Sequence, residues 1–355
     1  MSPTETNPAK FAPIPIGKIN PDEPLCADVY LKIGDKFIKF KEQEDAIPSE
    51  KYNFFISKNL KDLFVLTEDV KKVMDWLKAS KAKLVEEVVE QIGEEHRELA
   101  EKREEIKEVV FETFADLELD SGTVTILQDQ VADFIDDIGK KKVPQLVLAK
   151  LTRQSHSVAD HSVNVANIAV YMAMLLGHGH QFVLENIYMG SILHDYAKAK
   201  IPEDILKNTG NQKYNQAIQD HPKKAGQMIA KIEGINKQII TIVEQHHEQH
   251  NGKGYPKGLA GDDIYELSKI VTMANVFDNI LVENINKSEK QRNRAAIKFF
   301  EYDKGKQFDP EIIEKIIDGL KLAYGGYTKA PSKKEKIELP EDEVFSVDDD
   351  DEKDS

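Results

Sequence analysis

The sequence is poor in cysteine, in long apolar runs and in positive charge. Cys26 is the one cysteine in 355 residues. That excludes an intrachain disulfide and a cysteine-built zinc site, and it fits a reducing cytoplasm. The longest nearly uncharged apolar stretch, Val163 to Leu176, contains Asn164 and Asn167. It is too short to span a bilayer and predicts a buried core helix, so no membrane is expected. The opening MSPTETNPAKFAPIPIGK lacks a basic start followed by an apolar core, which predicts no signal peptide. Lys and Arg number 48 against 63 Asp and Glu, a formal charge of −15 with no dense basic stripe. DNA and RNA are therefore poor partners, because their binding needs clustered cations to release counterions. An acidic chain can still take an anionic substrate where a site supplies metal ions or local cations.

What is present suits a soluble chain with a real core: 40% hydrophobic and 31% charged residues. The length fits two domains joined by a helical connector. Residues 10–66 read as a small α+β domain. Val29, Leu31 and Ile33 alternate, Gly34-Asp35 gives a turn and Lys36–Phe40 returns, which is a hairpin pattern. Pro48-Ser49-Glu50 looks like a helix start and Leu60–Leu66 like another strand. The domain reads equally as a sensor or docking unit and as a structural cap.

Residues 67–143 read as the helical connector. Thr67 is placed to cap a helix whose Val70, Val73, Met74 and Leu77 share one face. Lys81 to Glu112 predicts one long amphipathic helix. Thr123 to Ile138 predicts a second, striped by Val124, Leu127, Val131, Phe134, Ile135 and Ile138. The connector either transmits a signal or simply packs. Residues 144–327 carry the chemistry, and 328–355 read as a disordered acidic tail ending in Asp348–Asp351 and Glu352.

Nine of the ten histidines lie between His156 and His250. His194-Asp195 ends an apolar helical run, Ile187 to Leu193. Adjacent residues on a helix diverge by about 100°, so both side chains can reach one cavity wall. The imidazole offers a neutral ligand, and a carboxylate can bridge two divalent metals about 3.5–4 Å apart. Lys198, one turn on, shares that face and can neutralise Asp195 or grip a phosphate. His221 precedes Pro222, which predicts an extended backbone at the start of a helix. His246-His247 closes an apolar segment ahead of Asn251-Gly-Lys-Gly-Tyr-Pro-Lys-Gly258. Glycines such as Gly254 let backbone approach a ligand, and Tyr255 could stack on a base or ring.

Five blocks in order carry a resemblance: HSVNVA at 161–166, ILHDYAKAKIP at 192–202, HPKKAG at 221–226, HHEQHNGKGYPKGL at 246–259 and KIVTMANVFDNI at 269–280. FDPEII at 308–313 follows as a closing helix. Over about 150–325 the chain resembles the HD-GYP subgroup of HD-domain phosphohydrolases. The resemblance implies a mainly α fold, an HD-type helical bundle, preceded by the small α+β domain and the connector. It implies hydrolysis of cyclic di-GMP or a related nucleotide with two divalent transition metals, Fe or Mn. One metal would be held by His161, His194, Asp195 and residue 275, the other by Asp195, His221, His246 and His247. Lys198 would contact the scissile phosphate, making Asp195 and Lys198 the expected catalytic pair. Gly254 and Tyr255 join Lys198 on the substrate side.

Some positions depart from the family. Asn275 stands where the family has aspartate, and Asp278 falls where it has an outer-sphere residue. Ser157 replaces the glutamate of trinuclear members, and Ala197 replaces a glycine. Val282-Glu-Asn-Ile-Asn286 stands where an Arg and a Tyr usually contact the dinucleotide. The expectation is a binuclear, slow cyclic di-GMP phosphodiesterase. The alternative is a catalytically degenerate HD-GYP domain that binds a cyclic nucleotide or docks onto a protein such as a diguanylate cyclase.

Overall fold

Four short strands rich in apolar residues build the N-terminal sheet. Its strands are Phe11–Pro15 (β1), Val29–Ile33 (β2), Lys36–Lys41 (β3) and Asp62–Leu66 (β4), with helix Ser49–Ser57 (α1) before the last. All neighbours are antiparallel, in the order β1-β4-β2-β3. The β2–β3 hairpin turns through Gly34-Asp35, and Gly34 sits at φ 59°, a sign that L side chains resist. The computed structural model describes residues 8–58, 60–115, 119–206, 208 and 210–325. The acidic segment 328–355 lies outside them.

The helix expected over 81–112 is two helices, Val70–Ile92 (α2) and Arg97–Ala115 (α3). Gly93 at φ 96° breaks the run, and Glu94–His96 turns the chain back. The physical reason is burial. A straight helix of that length would leave its apolar stripe in water, whereas the hairpin packs Val85, Val88 and Ile92 with Leu99, Ala100 and Ile106 in one core. Lys81–Glu108 and Arg97–Glu86 pair across the two helices at 3.1 and 2.8 Å. Thr67 does not cap α2. Its hydroxyl donates to the Ala9 carbonyl at 3.1 Å, and α2 starts at Val70 without a side-chain cap. Met74 also leaves the expected face and is 41% exposed, while Val73 and Leu77 are buried. Ser121–Lys140 (α4) buries all six residues of its expected stripe, capped by Asp120 accepting from the Thr123 amide at 2.9 Å.

The remaining helices are Gln145–Lys150 (α5), Val158–Leu175 (α6), Gln181–Leu193 (α7), Glu203–Leu206 (α8), Gln212–Ile229 (α9), Lys237–Gln245 (α10), Glu266–Glu283 (α11), Glu289–Asp303 (α12) and Pro310–Tyr324 (α13). The fold is mainly α with one small sheet. Helix α6 is central, buried at every residue from Ser162 to Met174, and it packs against α3, α5, α7 and α11. Such a helix, apolar nearly all round, is stable only when surrounded. Core contacts run without a break from Ile14 to Tyr324, so the sheet, α2–α4 and the later helices share one interior. Among the described residues, no helix is long and apolar enough to cross a membrane.

Gly17 lets the sheet side meet α3. A Cβ there would lie 2.0 Å from Phe111 Cδ1, and the Phe111 side chain is buried. Gly17→Ala is expected to lower stability by about 1–3 kcal/mol through overpacking, read by urea unfolding. An unchanged midpoint would show that this contact yields freely.

Candidate metal centre

Three histidines are set by the same local device. His194 caps the C-terminus of α7 and its Nδ1 donates to the Ser191 carbonyl at 2.6 Å. His246 caps α10 and donates to Val243 at 2.7 Å, and His221 donates to Ile218 at 2.6 Å. Each partner lies three residues earlier and can only accept. The proton is therefore on Nδ1 and the lone pair on Nε2.

For His221 the device corrects the expectation of an extended backbone. His221 and Pro222 lie inside α9. A proline in a helix interior leaves the carbonyl four residues back, here Ile218, without its amide partner. The His221 ring takes that vacant acceptor. The proline thus supplies the anchor that orients the imidazole.

The lone pairs converge on Asp195. Its Oδ1 lies 3.1 Å from His221 Nε2 and 3.8 Å from His246 Nε2. Its Oδ2 lies 3.6 Å from His194 Nε2 and 3.0 Å from Lys198 Nζ. Two donor groups result, each gathered within 4.8 Å: Asp195, His221, His246 and His247, and His161, His194 and Asp195. Asp195 belongs to both. The Nε2 atoms of His221 and His246 face each other at 3.1 Å, lone pair to lone pair. His194 Nε2, His247 Nε2 and Asp195 Oδ1 are buried without a hydrogen-bond partner. Buried polar atoms are rarely left so. Neutral imidazoles with one carboxylate are donors that suit divalent transition metals, and a cation between them relieves the repulsion.

Electrostatics keep these groups ready to ligate. Burial pulls the His194 imidazole down to about 4, against the pull of Asp195. Burial and neighbouring imidazoles hold His246 and His247 well below the usual histidine range. Burial alone would raise Asp195, but its neighbours, the Lys198 ammonium foremost, outweigh it and hold the carboxyl well below its ordinary value.

His161 projects from α6, and its Nδ1 pairs with Asp278 Oδ2 at 2.7 Å. Asn275 is buried on α11, one turn earlier, and its Oδ1 accepts from Asn279 Nδ2 at 2.8 Å. Ser157 caps α6 by accepting from the Asp160 amide. In the glycine loop, Gly254 passes so close to the His247 carbonyl that a Cβ would fall 2.5 Å from it. The Tyr255 ring stacks on the His247 imidazole, centroids 4.6 Å apart at 22°. The structure therefore brings together His161, His194, Asp195, Lys198, His221, His246 and His247, with Gly254 and Tyr255 at the edge by His247. Glu248 went unread in the sequence. It is buried and accepts from the Lys257 and Leu259 amides at 2.7 and 2.9 Å, which holds the loop against the histidines. Its position beside His247 is the sole sequence signal for that role.

With this geometry, comparison with known proteins is specific. The sequence model of the HD domain family matches residues 148–312. Over these residues the chain is similar to that family. A probable cyclic di-GMP phosphodiesterase of Vibrio cholerae is 25% identical over 206 residues, 56% of this chain and 45% of that protein. A 3'3'-cGAMP-specific phosphodiesterase of the same organism is 28% identical over 148 residues, 41% of this chain and 32% of that protein. The chain thus spans less than half the length of these curated relatives. The solved structure of an HDG"Y"P protein from Bdellovibrio bacteriovorus superposes with a TM-score of 0.58 at 20% identity, covering 88% of this chain and 99% of that one. That likeness shows a shared fold that extends beyond residues 148–312.

A depressed histidine pKa makes stability fall with acid, because the unfolded state takes up protons that the folded state refuses. For His194 the window runs from the ordinary 6.5 down to about 4. Chelator-treated protein should lose about 2–3 kcal/mol more between pH 7 and 4.5 than a His194→Gln variant does, measured by urea unfolding. Parallel pH profiles in the two proteins would contradict the buried neutral imidazole.

Proposed function

We propose that the chain is a metal-dependent phosphodiesterase that opens cyclic dinucleotides, cyclic di-GMP first among them, with two divalent metals, Fe or Mn. The observation that carries this reading is Asp195 shared between two donor groups, in which His194 Nε2, His247 Nε2 and Asp195 Oδ1 are buried without a hydrogen-bond partner. His221, His246, His247 and Asp195 would hold one metal, and His161, His194, Asp195 and Asn275 the other. Such a pair supplies Lewis acidity and an activated water for in-line attack at phosphorus. The names of the relatives support the substrate class, since those proteins act on cyclic dinucleotides.

The chain's own residues set the remaining chemistry. The three carbonyl-anchored rings cannot rotate without losing a hydrogen bond, so the donors are preorganised. Lys198 Nζ, half-exposed beside Asp195, is the cation placed to meet a phosphate oxygen. The Tyr255 ring shields one face of His247 and narrows the approach to the site. Asn275 gives a neutral oxygen, already bonded to Asn279, where a carboxylate would hold a hard cation better. Turnover is accordingly slow.

A second reading follows from that same residue and from the absence of Arg and Tyr after Asn279. In it the domain binds a cyclic dinucleotide, or docks through the Gly252–Gly258 loop to a diguanylate cyclase, without turnover. Manganese-loaded protein assayed with cyclic di-GMP separates the two. Linear product that disappears in His194→Ala and increases about tenfold or more in Asn275→Asp supports the enzyme. Binding without product in both wild type and Asn275→Asp supports the module instead.

A further inference from the structure

The ligand His161 is not held by α6 alone. Its Nδ1 is bonded to Asp278 Oδ2, and the other carboxylate oxygen, Oδ1, accepts from Asn164 Nδ2 at 3.1 Å. His161 and Asn164 lie one turn apart on α6, so the Asp278 carboxylate on α11 is gripped by both. Asn164 is fully buried and all four of its hydrogen-bonding positions are filled. Its Nδ2 also donates to the Arg153 carbonyl at 2.8 Å. Its Oδ1 accepts from the Arg153 amide and from Arg103 Nη2, each at 3.0 Å. With two donors on one side and two acceptors on the other, the amide has one possible orientation.

Arg103 comes from α3, far from the HD domain in sequence. Its guanidinium is wholly buried, bonded to Asp160 Oδ1 at 3.0 Å, to the Leu151 carbonyl at 3.2 Å and to Glu104. Arg153 closes the same network through Asp160 at 3.0 Å and Glu87 on α2 at 3.0 Å. A buried charge persists only where it is fully paired, so this arrangement has little freedom to shift.

The geometry points to Asn164 as a positioning residue for the metal held by His161, with Arg103 of α3 fixing Asn164 in turn. The inference rests on the metal-centre reading and deepens it. The helices before the HD domain are then part of the metal site: Arg103 sets Asn164, Asn164 sets Asp278, and Asp278 sets the tautomer and tilt of His161. This half of the site has most need of such support, because Asn275 contributes no charge to it. Loss of an outer partner of a metal-bound histidine typically costs about 10–100-fold in affinity.

The test uses the full chain, with Mn2+ as probe, and compares wild type, Asn164→Ala and Arg103→Lys. The readouts are Mn2+ affinity by titration and the rise in Tm that Mn2+ produces over chelated protein. A purely structural role lowers the chelated Tm and leaves the Mn2+-induced rise intact. The expected result is one site at wild-type affinity, the other about 10–100-fold weaker, and a smaller Tm rise in Asn164→Ala. Arg103→Lys keeps the charge but loses the fork, and shows a smaller loss of the same kind; it also serves if Asn164→Ala fails to fold. Wild type binding two ions while both variants bind them equally well overturns this inference alone. Wild type binding no Mn2+ overturns the metal-centre reading and this inference with it.

Discussion

Everything around the centre depends on one constraint: an ionised carboxylate, Asp195, is held in the interior among imidazoles that present lone pairs rather than protons. Burying such a group is costly unless charge and hydrogen bonds compensate it. Lys198 offsets one oxygen. The other lies between His221 and His246, whose rings are turned toward it by backbone carbonyls. Four helices, α6, α7, α9 and α10, bring these groups to one point. Without a cation there, the arrangement holds facing lone pairs and unpartnered nitrogens. The fold tolerates this because the surrounding core is continuous and the rings are anchored.

The two halves of the centre differ in how they are supported. On one side His221, His246 and His247 are held by short-range contacts: a carbonyl one turn back for the first two, Tyr255 stacking for the third. On the other side His194 is anchored in the same short-range way, whereas His161 relies on long-range contacts. His161 depends on Asp278, 117 residues away, and through Asn164 on Arg103 of α3. Asn275, the weaker ligand in the proposed second site, falls on this side. Any distortion of the early helices would therefore reach the His161 half first.

His194-Asp195 and His246-His247 with the following glycine loop were legible in the sequence, since they are local patterns. His161 and Asn275 became readable only through resemblance to a family. The Arg103–Asn164–Asp278 chain was not legible, because it joins residues brought together solely by packing. Two local rules also misled. The restriction before proline predicted an extended His221, yet helix α9 continues through Pro222 and uses the freed carbonyl. Unbroken charged periodicity hid the reversal at Gly93, which the need to bury two apolar stripes decides. The β2–β3 hairpin and the α4 stripe, by contrast, follow from pattern alone.

The most direct test of the central claim is an electron paramagnetic resonance spectrum of chain reconstituted with Mn2+, with metal content measured on the same sample. A carboxylate shared by two sites predicts two ions per chain and the signature of magnetic coupling across a short bridge, about 3.5–4 Å. A single uncoupled ion per chain, or none, would contradict the account of Asp195 as the bridge.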